Sequence, residues 1–347
     1  MYQRVSNWAR PRRWSILGEA VLAALLALVS WPIIASDGET EGVELVTAYL
    51  EALREGDVEE AKSYIGSSQY PDADESLLTE EALSSDWEIE SVEQRSSYQW
   101  YVHAVIGSGG RTAETVFHLE GTEDELRIAN PYVYLVVNQG PLQTLELNGR
   151  WHSPRGLEEN GTAQVALFPG SYDLFEDVPG FSGEHAVSFL AMPEDQPIQL
   201  ARVAGEAIAG NTELEEQLNA DLAAWIDFCA QSEEAAPEGC PFSAQSYYST
   251  DMVDDGLHEF EEVQDLAWAV DAYPHLRIGS DLALDTVAPG WMTLSGSGVV
   301  EFEGTTASLN GRCKIVMSSV EVTLLAGGQF EFASLEGLTS TCARGLT

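Results

Sequence analysis

Residues 43–65 read VELVTAYLEALREGDVEEAKSYI, and this stretch decides how the chain is organised. Val46, Tyr49, Leu50 and Leu53 recur at helical spacing, which gives the segment an apolar stripe that needs a surface to cover it. Gly56 supplies the left-handed residue that ends such a helix. Asp57, followed three residues on by Glu60, resembles a capping box opening a second short helix, Val58 to Ile65. A loop through Pro71 follows, and Leu77 to Leu83 adds one more turn. Strand-like runs come next at Trp87–Ser96, Gln99–Ile106, Thr112–Glu120 and Glu125–Ala129, with turns at Gly107–Gly110 and Gly121–Asp124. The third run alternates: Ala113, Thr115, Phe117 and Leu119 share one face, Glu114, His118 and Glu120 the other, with Val116 out of pattern.

Two helices ahead of a curved antiparallel sheet, with the pattern TAYLEALREGDVEEAKSYI, resemble the nuclear transport factor 2-like superfamily. The likeness is to the anchored extracytoplasmic version found in envelope proteins, chiefly actinobacterial, and it covers residues 42–130. It implies a cone-shaped sheet with a cavity between helix and sheet. Isomerase-like members place an acid–base carboxylate and hydrogen-bond donors inside the cone, and no residue here matches that pattern. Trp100, Tyr101, Phe117 and Tyr132 either line such a cavity or fill a core.

Outward on the N-terminal side, MYQRVSNWARPRR (1–13) carries four arginines and no acid. The apolar run Trp14–Ala35 follows, long enough for a hydrocarbon core of about 30 Å. A basic flank before such a run predicts insertion with the arginines in the cytoplasm and everything after Ser36 outside. Glu19 and Pro32 shorten the clean stretch, so two readings stay open: a retained anchor, or a signal peptide cut after Ala35. Both export the remainder, as a single-pass membrane protein or a secreted one. Residues 36–42 form a polar spacer, and the first α+β domain is assigned to 43–131.

Residues 132–203 read as all-β, a small sandwich built from Tyr132–Val137, Thr144–Leu147, Ala163–Phe168, Tyr172–Phe175 and Ala186–Ala191, with Asn148-Gly149 as a turn. LFPGSYDL (167–174) reads as a strand, a Pro-Gly turn and a strand, hence a hairpin, and resembles part of the sandwiches on envelope proteins. In the last domain, 204–347, Thr212 and Glu215 form a capping box. Leu214, Leu218, Leu222, Trp225, Ile226 and Cys229 make one helical stripe. Strand-like runs follow at Leu266–Ala272, Leu276–Ile278, Trp291–Phe302, Arg312–Met317, Glu321–Leu325 and Gly328–Ala333. The fold class is therefore α+β: helix-plus-sheet, sandwich, helix-plus-sheet.

The four cysteines, Cys229, Cys240, Cys313 and Cys342, are even in number and all on the exported side, which favours disulfides. Proximity in sequence favours Cys229–Cys240 and Cys313–Cys342; a zinc site and free core thiols are the rival readings. Charge bounds the partners. Beyond Ser36, 12 Lys+Arg face 56 Asp+Glu, about −44, so nucleic acid and anionic lipid surfaces are excluded as partners. An unknown protein or cell-wall partner remains, with membrane contact through the N-terminal segment only.

No motif carries chemistry. His103, His118, His152, His185, His258 and His275 show no metal-ligand spacing, so no metal and no cofactor are expected. Ser295-Gly296-Ser297-Gly298 lacks the nucleophile elbow, and Gly107–Gly110 does not open a helix. Asp72, Asp74 and Glu75, like Asp251, Asp254 and Asp255, lack a calcium-loop pattern and read as solvated loops. The expectation is a non-enzymatic interaction or structural module of the envelope. The alternative is a small-molecule-binding module using the first domain's cavity.

Overall fold

The computed structural model describes residues 41–94, 100–122, 125–181, 186–244, 260–300, 303–334 and 341–342. The basic tail, the apolar run, most of the spacer, His185, His258 and the acidic group at 251–255 lie outside these residues. Among the described residues, no helix is long and apolar enough to cross a membrane. The protein is mixed α+β, with few helices, many strands and two disulfides.

Helix α1 (Glu41–Glu55) begins inside the segment read as spacer and buries Val46, Tyr49, Leu50 and Leu53 completely, the four residues whose spacing predicts it. Gly56 ends it at φ +80°, and the Asp57 side chain accepts from the Glu60 amide at 2.9 Å to start α2 (Val58–Ser63). The buried stripe lies on a four-stranded antiparallel sheet in the order β1 (Glu88–Glu93), β2 (Tyr101–Ser108), β3 (Arg111–Thr122), β4 (Glu125–Ala129). Strand β3 alternates as its sequence predicts, with Phe117 and Leu119 buried and Glu114, Val116 and His118 outward. The expected turn near Leu77–Leu83 is a short 3-10 turn, Glu80–Ala82.

The central region holds two small sheets. One has the order β11-β5-β8, with β5 (Val133–Asn138), β8 (Thr162–Leu167) and β11 (Ile198–Gln199); β11 pairs with β5 in parallel. The other runs β10-β9-β6-β7, with β6 (Leu145–Leu147), β7 (Arg150–His152), β9 (Gly170–Leu174) and β10 (Val187–Ala191). LFPGSYDL is therefore not a hairpin: β8 and β9 belong to different sheets, and Phe168-Pro169 carries the chain from one to the other. Phe168 is fully buried and Tyr172 donates to its carbonyl at 2.9 Å, so the crossing is held by packing rather than a turn ladder. A short helix, α3 (Leu157–Asn160), precedes β8.

Two helices open the last region. Helix α4 (Leu200–Ala209) lies where the sequence pattern turns helical near residue 205 and buries Leu200, Ala204, Gly205 and Ile208. That glycine abuts the Ser280 carbonyl and leaves no room for a Cβ, so the helix can approach the following hairpin closely. Helix α5 (Thr212–Cys229) buries Leu214, Leu218, Leu222, Ile226 and Cys229. Its cap is one residue earlier than the Thr212 box: Asn211 accepts from the Leu214 amide at 3.0 Å. The strands do not join into one sheet. β12 (Phe260–Ala272), β15 (Gly290–Val300) and β16 (Thr306–Ile315) form a three-stranded ribbon, while β13 (His275–Ile278) with β14 (Leu284–Ala288) and β17 (Val320–Leu324) with β18 (Phe330–Ser334) form separate hairpins. Ser-Gly-Ser-Gly at 295–298 lies in β15, where a Cβ on Gly296 would press on Leu266 at 2.7 Å; the glycine accommodates the bulged β12.

The cores do not follow the three-part division. One cluster combines α1 and the first sheet with Tyr132, Tyr134, Ala166, Phe168 and Met192 of the central region. A second runs unbroken from the central sheets through α4, α5 and all the later strands.

Candidate functional site

The four cysteines form Cys229–Cys240 and Cys313–Cys342. The first ties the end of α5 to the loop after it; the second ties β16 to the C-terminal segment, where Cys313 and Cys342 form an antiparallel bridge. Residues 241–243 connect the two: Val316 donates to the Pro241 carbonyl at 2.8 Å, and Thr341 to the Ser243 carbonyl at 2.7 Å. Both bridges therefore act on one corner of the fold.

The four aromatic residues read as possible cavity lining do not meet around one cavity. Phe117 is 2% exposed and packs edge-to-face on Tyr49 at 6.0 Å, while Tyr132 is buried against Phe168 at 5.7 Å. These two share a cleft of about 70 Å³ with His118 and Asn130, room for about two waters at roughly 30 Å³ each. Trp100 is half-buried at the start of β2. Tyr101 is 44% exposed and stacks edge-on to His118 on the outer sheet face. Burial pushes the Tyr132 phenol up to about 12 and Tyr49 well above its ordinary range.

A cleft of about 710 Å³ opens elsewhere, between the end of α1 and the β2–β3 hairpin. Arg54 and Arg111 share it with Asp86, Glu88 and Glu90, so its walls carry both signs of charge without one convergent set. Arg111 is already committed to Ser188, donating to its carbonyl and, at 2.9 Å, to its hydroxyl.

A polar cluster surrounds Asp74 and corrects the solvated-loop reading for that residue, while Asp72 and Glu75 are exposed as expected. Asp74 is 3% exposed. Its backbone pairs with β8, donating to Gln164 at 2.8 Å and accepting from Ala166 at 2.9 Å. One carboxylate oxygen accepts from the Arg155 Nε at 3.1 Å and the Ser76 hydroxyl at 2.7 Å; the other lies 2.9 Å from His152 Nε2 and accepts from the Arg155 amide at 2.9 Å. Burial opposes ionisation, yet the Arg155 amide, Ser76 and His152 outweigh it and hold the carboxyl well below the usual carboxylate range. No sequence signal announces this cluster, because His152 and Arg155 lie far along the chain and only the fold brings them to Asp74.

Ser76, His152 and Asp74 are the residue types of a nucleophilic triad, but the geometry is different. Asp74 approaches His152 Nε2 at 2.9 Å, and Ser76 Oγ lies nearer to that same nitrogen, at 3.0 Å, than to Nδ1, at 3.5 Å. The serine proton is directed to Asp74 itself. The cluster forms a polar knot joining the 66–79 segment to the central sheets. Among the described residues, no three His, Cys, Asp or Glu side chains are placed to hold a metal.

Glu146 is a second buried carboxylate, fully covered beneath the β6–β7 turn. It accepts from the Gly149 amide and, at 2.6 Å, from the Glu176 amide, fixing two loops at once. Burial raises its pKa, offset in part by those two amides, while nearby Glu176 and Asp177 push it further up. A raised folded pKa gives stability that is present below the unfolded value and lost as pH rises through the folded one. Acidification from neutral pH toward the ordinary glutamate range therefore strengthens this corner, opposite in sign to Asp74, whose contribution is lost only in stronger acid. Glu146→Gln turns an amide N–H₂ toward a backbone N–H and costs about 1–3 kcal/mol. It also removes this component of the pH dependence. Urea midpoints at both ends of that pH range for the two proteins measure it, and equal pH slopes would refute the assignment.

No family model, no curated protein and no solved structure matches this chain.

Proposed function

We propose that the chain is an exported envelope protein, anchored by its N-terminal segment or released after cleavage, and that it acts as a non-enzymatic interaction or structural module. The observation that carries this reading is the closure of all four cysteines into two disulfides at one corner, a chemistry that persists in oxidising compartments. The basic flank and apolar run at 1–35 agree with it. The filled interior around Phe117 and Tyr132, and a Ser–His–Asp cluster arranged as a knot, support a role in binding or architecture over catalysis.

Within this reading, residues 42–130 form a nuclear transport factor 2-like module, a reading supported by two helices over a four-stranded antiparallel sheet in sequential order. The central region is a small sandwich, a reading supported by the crossing of Phe168-Pro169 between two sheets. The strongly acidic surface favours a partner with basic or neutral recognition groups, whether protein or wall polymer. External protease applied to intact, wall-stripped cells is expected to remove nearly the whole chain. Full-length survival, with a cytoplasmic control also intact, would overturn the orientation.

A further inference from the structure

Asn160 is the one asparagine in the chain followed two residues later by Ser or Thr; residues 158–162 read Glu-Glu-Asn-Gly-Thr. This is the N-x-[ST] acceptor pattern with a residue other than proline between. It also meets the stricter form of the signal, which requires an acidic residue two positions before the asparagine. A triplet alone arises readily by chance, so its place in the fold decides whether it can be used.

Asn160 and Thr162 are both exposed, Asn160 at the end of α3 and Thr162 at the first position of β8. The single helical turn lies between Gly156 at φ +80° and Gly161 at φ +69°, two left-handed residues that bring the segment out from the sheet. Two backbone bonds close the turn, Asn160 to Gly156 at 3.1 Å and Gly161 to Leu157 at 2.8 Å, and the Gln139 amide donates to the Gly161 carbonyl at 2.9 Å just beyond it. The Asn160 amide makes one further bond, to the Gly156 carbonyl at 3.2 Å. A transferase must take the acceptor out of helical geometry, and a one-turn helix with no other ties to its asparagine opens at low cost. Space in front of the turn is free: a Cβ on Gly161 would meet only Gln139 Oε1, at 3.9 Å. Asn148 is the contrast. Its amide donates to the Ala82 carbonyl and its oxygen accepts from Asp173, so it is locked into the fold.

We propose that Asn160 is an N-linked glycosylation acceptor, modified from a polyprenyl-diphosphate-linked sugar donor by a membrane transferase; this rests on the export reading above. The amide nitrogen attacks the anomeric carbon of the donor. The C–N bond forms as the bond from that carbon to the phosphate oxygen breaks, and polyprenyl diphosphate departs with the electron pair. The amide proton passes to a carboxylate of the transferase. The glycan then projects into solvent from the exposed end of β8.

The test uses the full chain purified unreduced from its own cells. Trypsin releases the peptide Gly156–Arg202, and its mass is expected to carry a glycan increment on Asn160. The increment disappears in Asn160→Gln and Thr162→Ala and returns in Thr162→Ser, with melting profiles of the unglycosylated variants matching one another. An unmodified Asn160, or a gain of only about 1 Da from deamidation of the exposed Asn160-Gly161 pair, overturns the proposal. Thiol titration of the same unreduced, denatured sample separates the two readings. Oxidised cysteines with a bare Asn160 leave export standing and remove the acceptor; free thiols with a bare Asn160 remove both.

Discussion

Reduction of both disulfides is expected to cost the native state about 6 kcal/mol. The bridges close loops of 11 and 29 residues, and the loop-entropy relation gives roughly 3 and 3.5 kcal/mol respectively. A loss of this size is comparable to the whole stability of many domains. The shared core sets how far it spreads. Because one continuous cluster joins the central sheets to α5 and the final strands, loosening the corner at 229–244 also weakens residues 132–203. Leu324 donates to the Pro141 carbonyl at 2.8 Å and Gln143 to Thr323 at 2.6 Å, so the two regions are fastened along their border as well. Calorimetry with and without reductant measures the loss, and timed proteolysis locates it. Cleavage is expected to begin in the last region and reach the central one, with α1 and the first sheet outlasting both. An unchanged melting profile would mean that the bridges contribute nothing, and cleavage confined to 204–347 would mean that the regions unfold independently.

Replacing Asp74 by alanine is expected to cost about 3 kcal/mol, the penalty for removing one member of a buried hydrogen-bonded charge cluster. Its carboxylate accepts from two backbone amides, the Ser76 hydroxyl and Arg155 Nε, and lies against His152. The loss should be lopsided. The Arg155 side chain is 74% exposed, and Arg155→Ala keeps the backbone amide that serves Asp74, so it should cost no more than about 0.5 kcal/mol. Unfolding free energies from urea titration give both values. The strap at 66–79 should also become the first point of protease attack in Asp74→Ala. Equal, small losses for the two variants would show that the knot is incidental.

Much of the local structure was legible because it depends on residues close in sequence. Helix α1 follows from Val46, Tyr49, Leu50 and Leu53, its end from Gly56, and the start of α2 from Asp57. Strand β3 follows from an alternation broken only by Val116. Near-neighbour cysteines pair as loop closure favours. The helical character near residue 205 was legible, but the reason for Gly205 was not, since only the Ser280 backbone packed against it shows why a Cβ is excluded there. The Pro-Gly pair at 169–170 suggests a hairpin, and only the strand pairing, with β8 and β9 in different sheets, shows the chain passing between them.

The candidate site was hidden for a related reason. Asp74, His152 and Arg155 carry ordinary surface residue types, and nothing nearby in sequence distinguishes Asp74 from Asp72. What the sequence alone determined is a set of elements, the disulfide pairing that proximity favours, and an acidic chain with an apolar N-terminal run. The tertiary structure decided which carboxylates are buried, which regions share a core and which aromatic side chains meet. Helical spacing and capping act over three or four residues and can be read directly, whereas desolvation of a charge depends on groups that reach it only after the chain has folded.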